Sequence, residues 1–226
     1  MRILILGAPG SGKGTYSKGL SEMLKLPQIT SGDFLRSLRN DPKIGSTIRE
    51  YQDKGLPVPD EVVVPLLKER LSRSDCKNGV IFDGDVVYNI NQAKMLEKML
   101  NLNLVINLVL PNEILVKKSL GRRTCKNCGA IYNIAVINEQ GLHMPALLPK
   151  KDGVCDKCGG PLFIRTDDTE EIIRERLRVY DERIKPVLKF YRDKSLVRDF
   201  KVDSSPDIMV PKLLKMIKTE LGTKNV

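Results

Sequence analysis

The chain has 226 residues, 41% of them apolar and 29% charged, which is enough apolar material for one α/β core carrying small insertions. No apolar run approaches the roughly 20 residues that a membrane span needs, and the apolar start at Ile3–Leu6 is too short for a secretory leader, so a cytoplasmic protein without membrane contact is expected. A formal charge of +10 suits an anionic partner, while 5% aromatic residues and no Trp argue against a stacking platform for single-stranded nucleic acid.

Strands and helices alternate along the chain, the pattern of a parallel sheet covered by helices. Residues 2–6 read as a buried first strand and 13–26 as a packed helix with Leu20, Met23, Leu24 and Leu26 on its apolar face. Residues 30–60 hold helical patches broken by Asn40-Asp41-Pro42 and Gly55-Leu56-Pro57, a small helical insertion. Asp60 is placed as the cap of a helix running to about Ser72. Val80-Ile81-Phe82 forms the next core strand, ending at Asp83-Gly84. A helix over 91–100, a strand over 104–110 and a helix over 112–123 follow. From Thr124 to Ile164 the composition turns to Cys, Gly and Pro, marking a second insertion. A long amphipathic helix over 168–193, a strand over 197–202 and a helix from Pro206 close the chain.

Gly7-Ala8-Pro9-Gly10-Ser11-Gly12-Lys13-Gly14-Thr15 lies between the first strand and the first helix, the setting in which such a loop binds phosphate. Glycines let successive N–H groups converge on an anion without Cβ clashes, and the following helix adds its positive end. Lys13 is placed to follow charge between the β- and γ-phosphates. The usual motif puts Ser or Thr directly after the Lys; here Gly14 intervenes before Thr15. Asp83 ends a core strand at the carboxyl edge, where a carboxylate can hold Mg²⁺ through water.

Five cysteines are present. Cys76 stands alone and is given no role. Cys125-Lys126-Asn127-Cys128 and Cys155-Asp156-Lys157-Cys158 are two Cys-x-x-Cys pairs with 26 residues between them. In a reducing compartment such pairs read as metal ligands, and four thiolates complete a closed tetrahedral Zn²⁺ site with no open position for catalysis. The expected ion is therefore structural, holding together an insertion poor in apolar residues. His143, the only His, is expected on an exposed loop inside that segment. Arginines gather at the insertion boundaries: Arg36 in the first, Arg122 and Arg123 before the cysteines, Arg165, Arg174, Arg176 and Arg178 after them. Fixed positive charge of this kind is what a transferring phosphoryl group requires.

These runs, with Ser31-Gly32-Asp33-Phe34-Leu35-Arg36, Phe82-Asp83-Gly84, Gly121-Arg122-Arg123 and Arg165-Thr166-Asp167-Asp168, resemble the nucleoside monophosphate kinases, in particular adenylate kinases of the long, zinc-lid type. The resemblance covers essentially the whole chain. It implies a three-layer P-loop fold, with a core of residues 1–29, 61–121 and 165–226, an acceptor-binding insertion over 30–60 and a lid over 122–164. It implies reversible conversion of MgATP and AMP into two ADP; the expected assembly is a monomer. By the same resemblance Gly10, Ser11, Gly12, Lys13, Gly14, Thr15 and Arg122 would bind ATP. Ser31, Arg36, Gln92, Arg165 and Arg176 would bind AMP. Lys13, Asp83, Arg122, Arg165 and Arg176 would carry the transfer, and Asp167 and Asp168 would pair with lid groups.

Two departures stand out. The family continues Asp-Gly with an aromatic, Pro and an Arg that grips the AMP phosphate, whereas here the run is Asp83-Gly84-Asp85-Val86-Val87-Tyr88-Asn89. A charge-assisted phosphate contact contributes roughly 1.5–3 kcal/mol. Its loss leaves open compensation by Arg36, Arg39 or another residue, a weak enzyme, or an acceptor other than AMP. Lys118 stands where the family often has an Arg on the donor base, and lacks the flat guanidinium that stacks. The alternatives to AMP phosphorylation are a P-loop kinase for another monophosphate or small acceptor, and a nucleotide- or nucleic-acid-binding module without turnover.

Overall fold

A computed structural model describes residues 1–30, 38–53, 58–83, 87 and 89–222. Five parallel strands form the central sheet: β1 (Arg2–Gly7), β2 (Gln28–Ile29), β3 (Val80–Asp83), β4 (Leu104–Val109) and β10 (Val197–Lys201), in the order β10-β4-β1-β3-β2. The sheet is buried on both faces, so β1 reads as an unbroken apolar run whose alternate residues serve opposite layers. Ile3 and Ile5 pack with Leu20 and Leu24 of α1 (Lys13–Leu24) and with Leu213 and Ile217 of α7 (Pro206–Glu220). Leu4 and Leu6 pack on the other side with Leu67 of α3 (Asp60–Ser72), Leu96 of α4 (Ile90–Leu100) and Val187 of α6 (Glu170–Arg192). This is the expected helix–sheet–helix sandwich.

The element ends follow local chemistry. Helix α4 starts where the Asn89 side chain accepts from the N–H groups of Asn91 and Gln92, and α6 starts where the Thr169 hydroxyl accepts from Ile172. Helix α3 begins at Asp60 itself, with Pro59 in the cap position. Helix α2 (Gly45–Asp53) buries Ile48 against Val58, Leu38, Ile44 and Val63, a small apolar cluster separate from the sheet.

Two further expectations change. Helix α5 (Asn112–Leu120) stops before the arginines, and Arg122–Cys125 forms strand β5. The cause is non-local: β5 pairs antiparallel with β6 (Ile131–Asn133) and β9 (Leu162–Phe163) in a separate sheet of order β6-β5-β9. The stretch between β6 and β9 also contains a hairpin, β7 (Ile137–Glu139) and β8 (Leu142–Met144), whose Ile137 and Met144 pack into the main core. His143 therefore lies on a strand, its side chain exposed, and its N–H donates to the Asp203 carbonyl at 2.8 Å. No described helix is long and apolar enough to cross a membrane.

Candidate active site

The sheet register brings the chemistry to one edge. Ile5 pairs with Asp83 and Gly7 with Leu108, so the loop after β1 and the carboxylate ending β3 lie side by side at the carboxyl end. Gly10 and Gly12 adopt φ of 83° and 92°, a left-handed conformation open to glycine at little cost. At Gly10 the approach is also too close for a side chain: a Cβ would stand 2.5 Å from Ser119 Oγ and 2.9 Å from the Leu115 carbonyl. Helix α5 thus forms the floor of the loop. The Lys13 ammonium donates to the Gly7 carbonyl at 2.9 Å, spanning the loop from its last residue to its first.

Helix α1 begins with no side-chain cap and no acidic residue in its first turn. Its N-terminal amides and dipole therefore present an uncancelled positive field to an anion. The Ser11 hydroxyl is buried in the loop and has no hydrogen-bond partner among the described residues. Asp83 is buried, and a Cβ added to Gly14 would lie 3.5 Å from its Oδ2, which places the carboxylate over the first turn of α1. A hard carboxylate there, with Thr15 on the same turn, is a donor set that fits Mg²⁺.

Three arginines are tied to strand β5 and the turn 165–168. Arg122, opening β5, makes a two-pronged contact with Asp168: Nε donates to Oδ2 at 3.0 Å and Nη2 donates to Oδ1. The Asp168 side chain is 0% exposed and that of Arg122 20% exposed. Arg165 Nε donates to the Thr124 hydroxyl at 3.2 Å, and Arg176 Nη2 donates to Asp167 Oδ2 at 2.6 Å. The turn 165–168 and strand β5 thus orient Arg122, Arg165 and Arg176 together. At Asp167, burial disfavours ionisation, but the Arg176 contact outweighs it and holds the carboxyl below its usual range. Gln92 lies in the first turn of α4. Ser31 and Arg36, together with Gly84, Asp85, Val86 and Tyr88 of the departing run, lie outside the described residues.

Lys118 is partly buried at the end of α5, and burial pushes its pKa down to about 8. The Lys117 ammonium pairs with Glu139. On the outer side of α1, the neighbouring Lys157 ammonium lowers the pKa of Lys18.

Four Sγ atoms, of Cys125, Cys128, Cys155 and Cys158, all lie within 4.8 Å of one another, with Cys125–Cys158 at 3.5 Å and Cys128–Cys155 at 3.6 Å. A tetrahedral ion with bonds of about 2.3 Å needs sulfurs about 3.8 Å apart, so the set fits a closed four-thiolate site able to hold a metal. Burial opposes ionisation of Cys155, but the Lys157 N–H, the Tyr132 hydroxyl and further donors outweigh it and lower the thiol to about 6. At Cys158 the Gly160 N–H favours the thiolate, yet the neighbouring Cys128 and Cys125 push the pKa up to about 12. Cys76 is apart from this set. Arg70 Nη1 donates to its sulfur at 3.0 Å, and burial raises its pKa.

Sequence reasoning missed two supports, Ser119 under the loop and the Tyr132 hydroxyl beside Cys155. Ser119 left no signal, being one small polar residue in a helix of mixed composition. Tyr132 left a faint one, as an aromatic soon after the first cysteine pair in an insertion with few apolar residues.

A glycine loop closed by its lysine at the carboxyl edge of a parallel sheet, beside a buried carboxylate, defines a P-loop nucleotide phosphotransferase. A family model described as adenylate kinase matches residues 5–196. The chain is 44% identical to an adenylate kinase of Archaeoglobus fulgidus, covering 92% of this chain and 93% of that one. It is 42% identical to one of Caldicellulosiruptor bescii, over 87% and 89%, and 38% identical to one of Clostridioides difficile, over 99% of both. The chain belongs to the adenylate kinase family.

Proposed function

We propose that the chain transfers the terminal phosphoryl group of MgATP to AMP, giving two ADP, and does the reverse. The observation that carries this reading is the left-handed glycine loop spanned by Lys13 at 2.9 Å from the Gly7 carbonyl. Amides of residues 10–15 bind the β- and γ-phosphates, and Lys13 leaves the Gly7 carbonyl to follow the terminal group. An oxygen of the AMP phosphate attacks the γ-phosphorus in line, and the bond to the bridging oxygen breaks toward ADP. Arg122, Arg165 and Arg176 balance charge on the equatorial oxygens, with no side-chain base required. Mg²⁺, arriving with ATP, supplies further neutralisation, and Asp83 and Thr15 are the residues that would hold it.

In the same reading, Ser31, Arg36 and Gln92 bind AMP, residues 30–60 form its insertion, residues 122–164 form the lid, and the four cysteines hold a structural Zn²⁺. The protein works as a cytoplasmic monomer. Arg36 or Arg39 replaces the phosphate contact absent from residues 85–91. That absence also motivates the second reading, a P-loop kinase for another monophosphate. Coupled ADP formation across AMP, UMP, CMP and GMP separates the two. AMP should lead, and another acceptor faster by tenfold would overturn the assignment.

A further inference from the structure

The two cysteine turns are near copies. Gly129 and Gly159 both have φ of 69°. The Gly129 N–H donates to the Cys125 carbonyl and the Gly159 N–H to the Cys155 carbonyl, at 3.0 and 2.9 Å. Cys125 and Cys155 are buried, Cys128 and Cys158 exposed. Such a pair of turns can ligate an ion without further help.

One contact breaks the symmetry. The Tyr132 hydroxyl reaches Cys155 Sγ, 3.6 Å away, and at the same time accepts from the Asp156 N–H at 2.7 Å. Tyr132 is 7% exposed and packs in one cluster with Cys125 and Cys155. Its strand pairs with β5 through Arg123, so the ring links the arginine-bearing sheet to the second turn. Among the described residues, no side-chain hydroxyl reaches Cys125 in the same way.

Four thiolates around a divalent cation leave a net charge of about −2 in a partly desolvated site, and outer donors spread that charge and aim the ligands. The Lys157 N–H donates to Cys155 Sγ at 3.4 Å; the phenol adds a second donor, one whose own oxygen is already fixed. We propose that Tyr132 is a positioning residue of the metal site, its hydroxyl held by the Asp156 amide and donating to Cys155 so that this sulfur is aimed at the ion. The phenol thereby fastens the second cysteine turn to the sheet that carries Arg122. This role rests on the reading of the cysteines as a Zn²⁺ site.

Tyr132→Phe removes the hydroxyl and keeps the ring. Zinc content of the unaltered protein is measured first, then zinc release to a chromogenic chelator, then the thiolate-to-metal charge-transfer band of the Co²⁺-loaded protein. The variant should release zinc about tenfold faster, the lower end for loss of an outer partner, and its Co²⁺ band should move to lower energy as the sulfur loses a donor. Tyr191→Phe, which deletes a buried hydroxyl bonded to the Ala93 carbonyl in the main core, should change neither. Replacing all six tyrosines by 3-fluorotyrosine keeps the fold and strengthens the donor, and should move the band the other way. Release within twofold of the unaltered protein together with an unmoved band overturns the role of Tyr132 while leaving the zinc site intact. An unaltered protein that takes up neither metal overturns both.

Discussion

Asp168→Asn keeps the shape of the side chain and removes its charge. In the structure, Asp168 is wholly covered and receives two bonds from Arg122, which is 20% exposed. Asparagine offers one neutral acceptor and turns its amide donors toward a guanidinium that can only donate. Breaking a fully buried ion pair costs about 3–5 kcal/mol. Water reaches Arg122 in part, so a loss of about 2–3 kcal/mol is expected, a melting temperature lower by about 4–12 °C at this chain length. Turnover should fall about tenfold, since an arginine without its clamp no longer holds its aim at a transferring group. Scanning calorimetry and a coupled ADP assay read the two effects. The double variant Arg122→Met, Asp168→Leu should recover most of the stability and none of the activity. A melting point within 1 °C of the unaltered protein with full turnover refutes the clamp.

Gly10→Ala should weaken MgATP binding at least tenfold and lower stability by more than the roughly 1–2 kcal/mol of left-handed strain, because its Cβ meets Ser119 and the Leu115 carbonyl; calorimetric titration and urea unfolding check both. Lys118, depressed to about 8, binds fewer protons folded than unfolded between that value and its ordinary pKa near 10.4. Stability should therefore rise with pH from about 8 to about 10. Lys118→Met should remove that share of the rise, and an identical pH profile in the variant would count against the depressed lysine. Stripping the four-cysteine site with a chelator should lower the melting temperature and expose the insertion to protease. The apolar cluster of that insertion has only Cys125, Tyr132 and Cys155 buried. An unchanged melting curve after verified metal removal argues against a structural ion.

The layers of the core were legible because β1, β3 and β4 are buried on both faces, so their apolar runs carry the signal by themselves. The phosphate loop was legible for a similar reason: its residues are contiguous, and their geometry follows from glycine. Arg122 and Arg123 read as helical because the preceding residues favour helix, whereas their strand depends on pairing with residues 131–133, a contact no local pattern announces. The two-residue strand β2 is set by pairing to β3 alone. The docking of Ile137 and Met144 into the main core was hidden because a segment rich in Gly, Pro and Cys reads as a self-contained insertion. Resemblance alone makes Asp168 a lid partner; the structure adds the full burial of its side chain and its two-pronged hold on Arg122.

The most direct check is phosphoryl transfer by purified, metal-replete protein, following MgATP, AMP and ADP together. Two ADP should form for each AMP consumed, and Lys13→Ala should cut the rate at least a hundredfold while the melting temperature barely moves. No ADP formation, or a Lys13→Ala variant that turns over normally, would contradict a loop built to hold and follow the terminal phosphate.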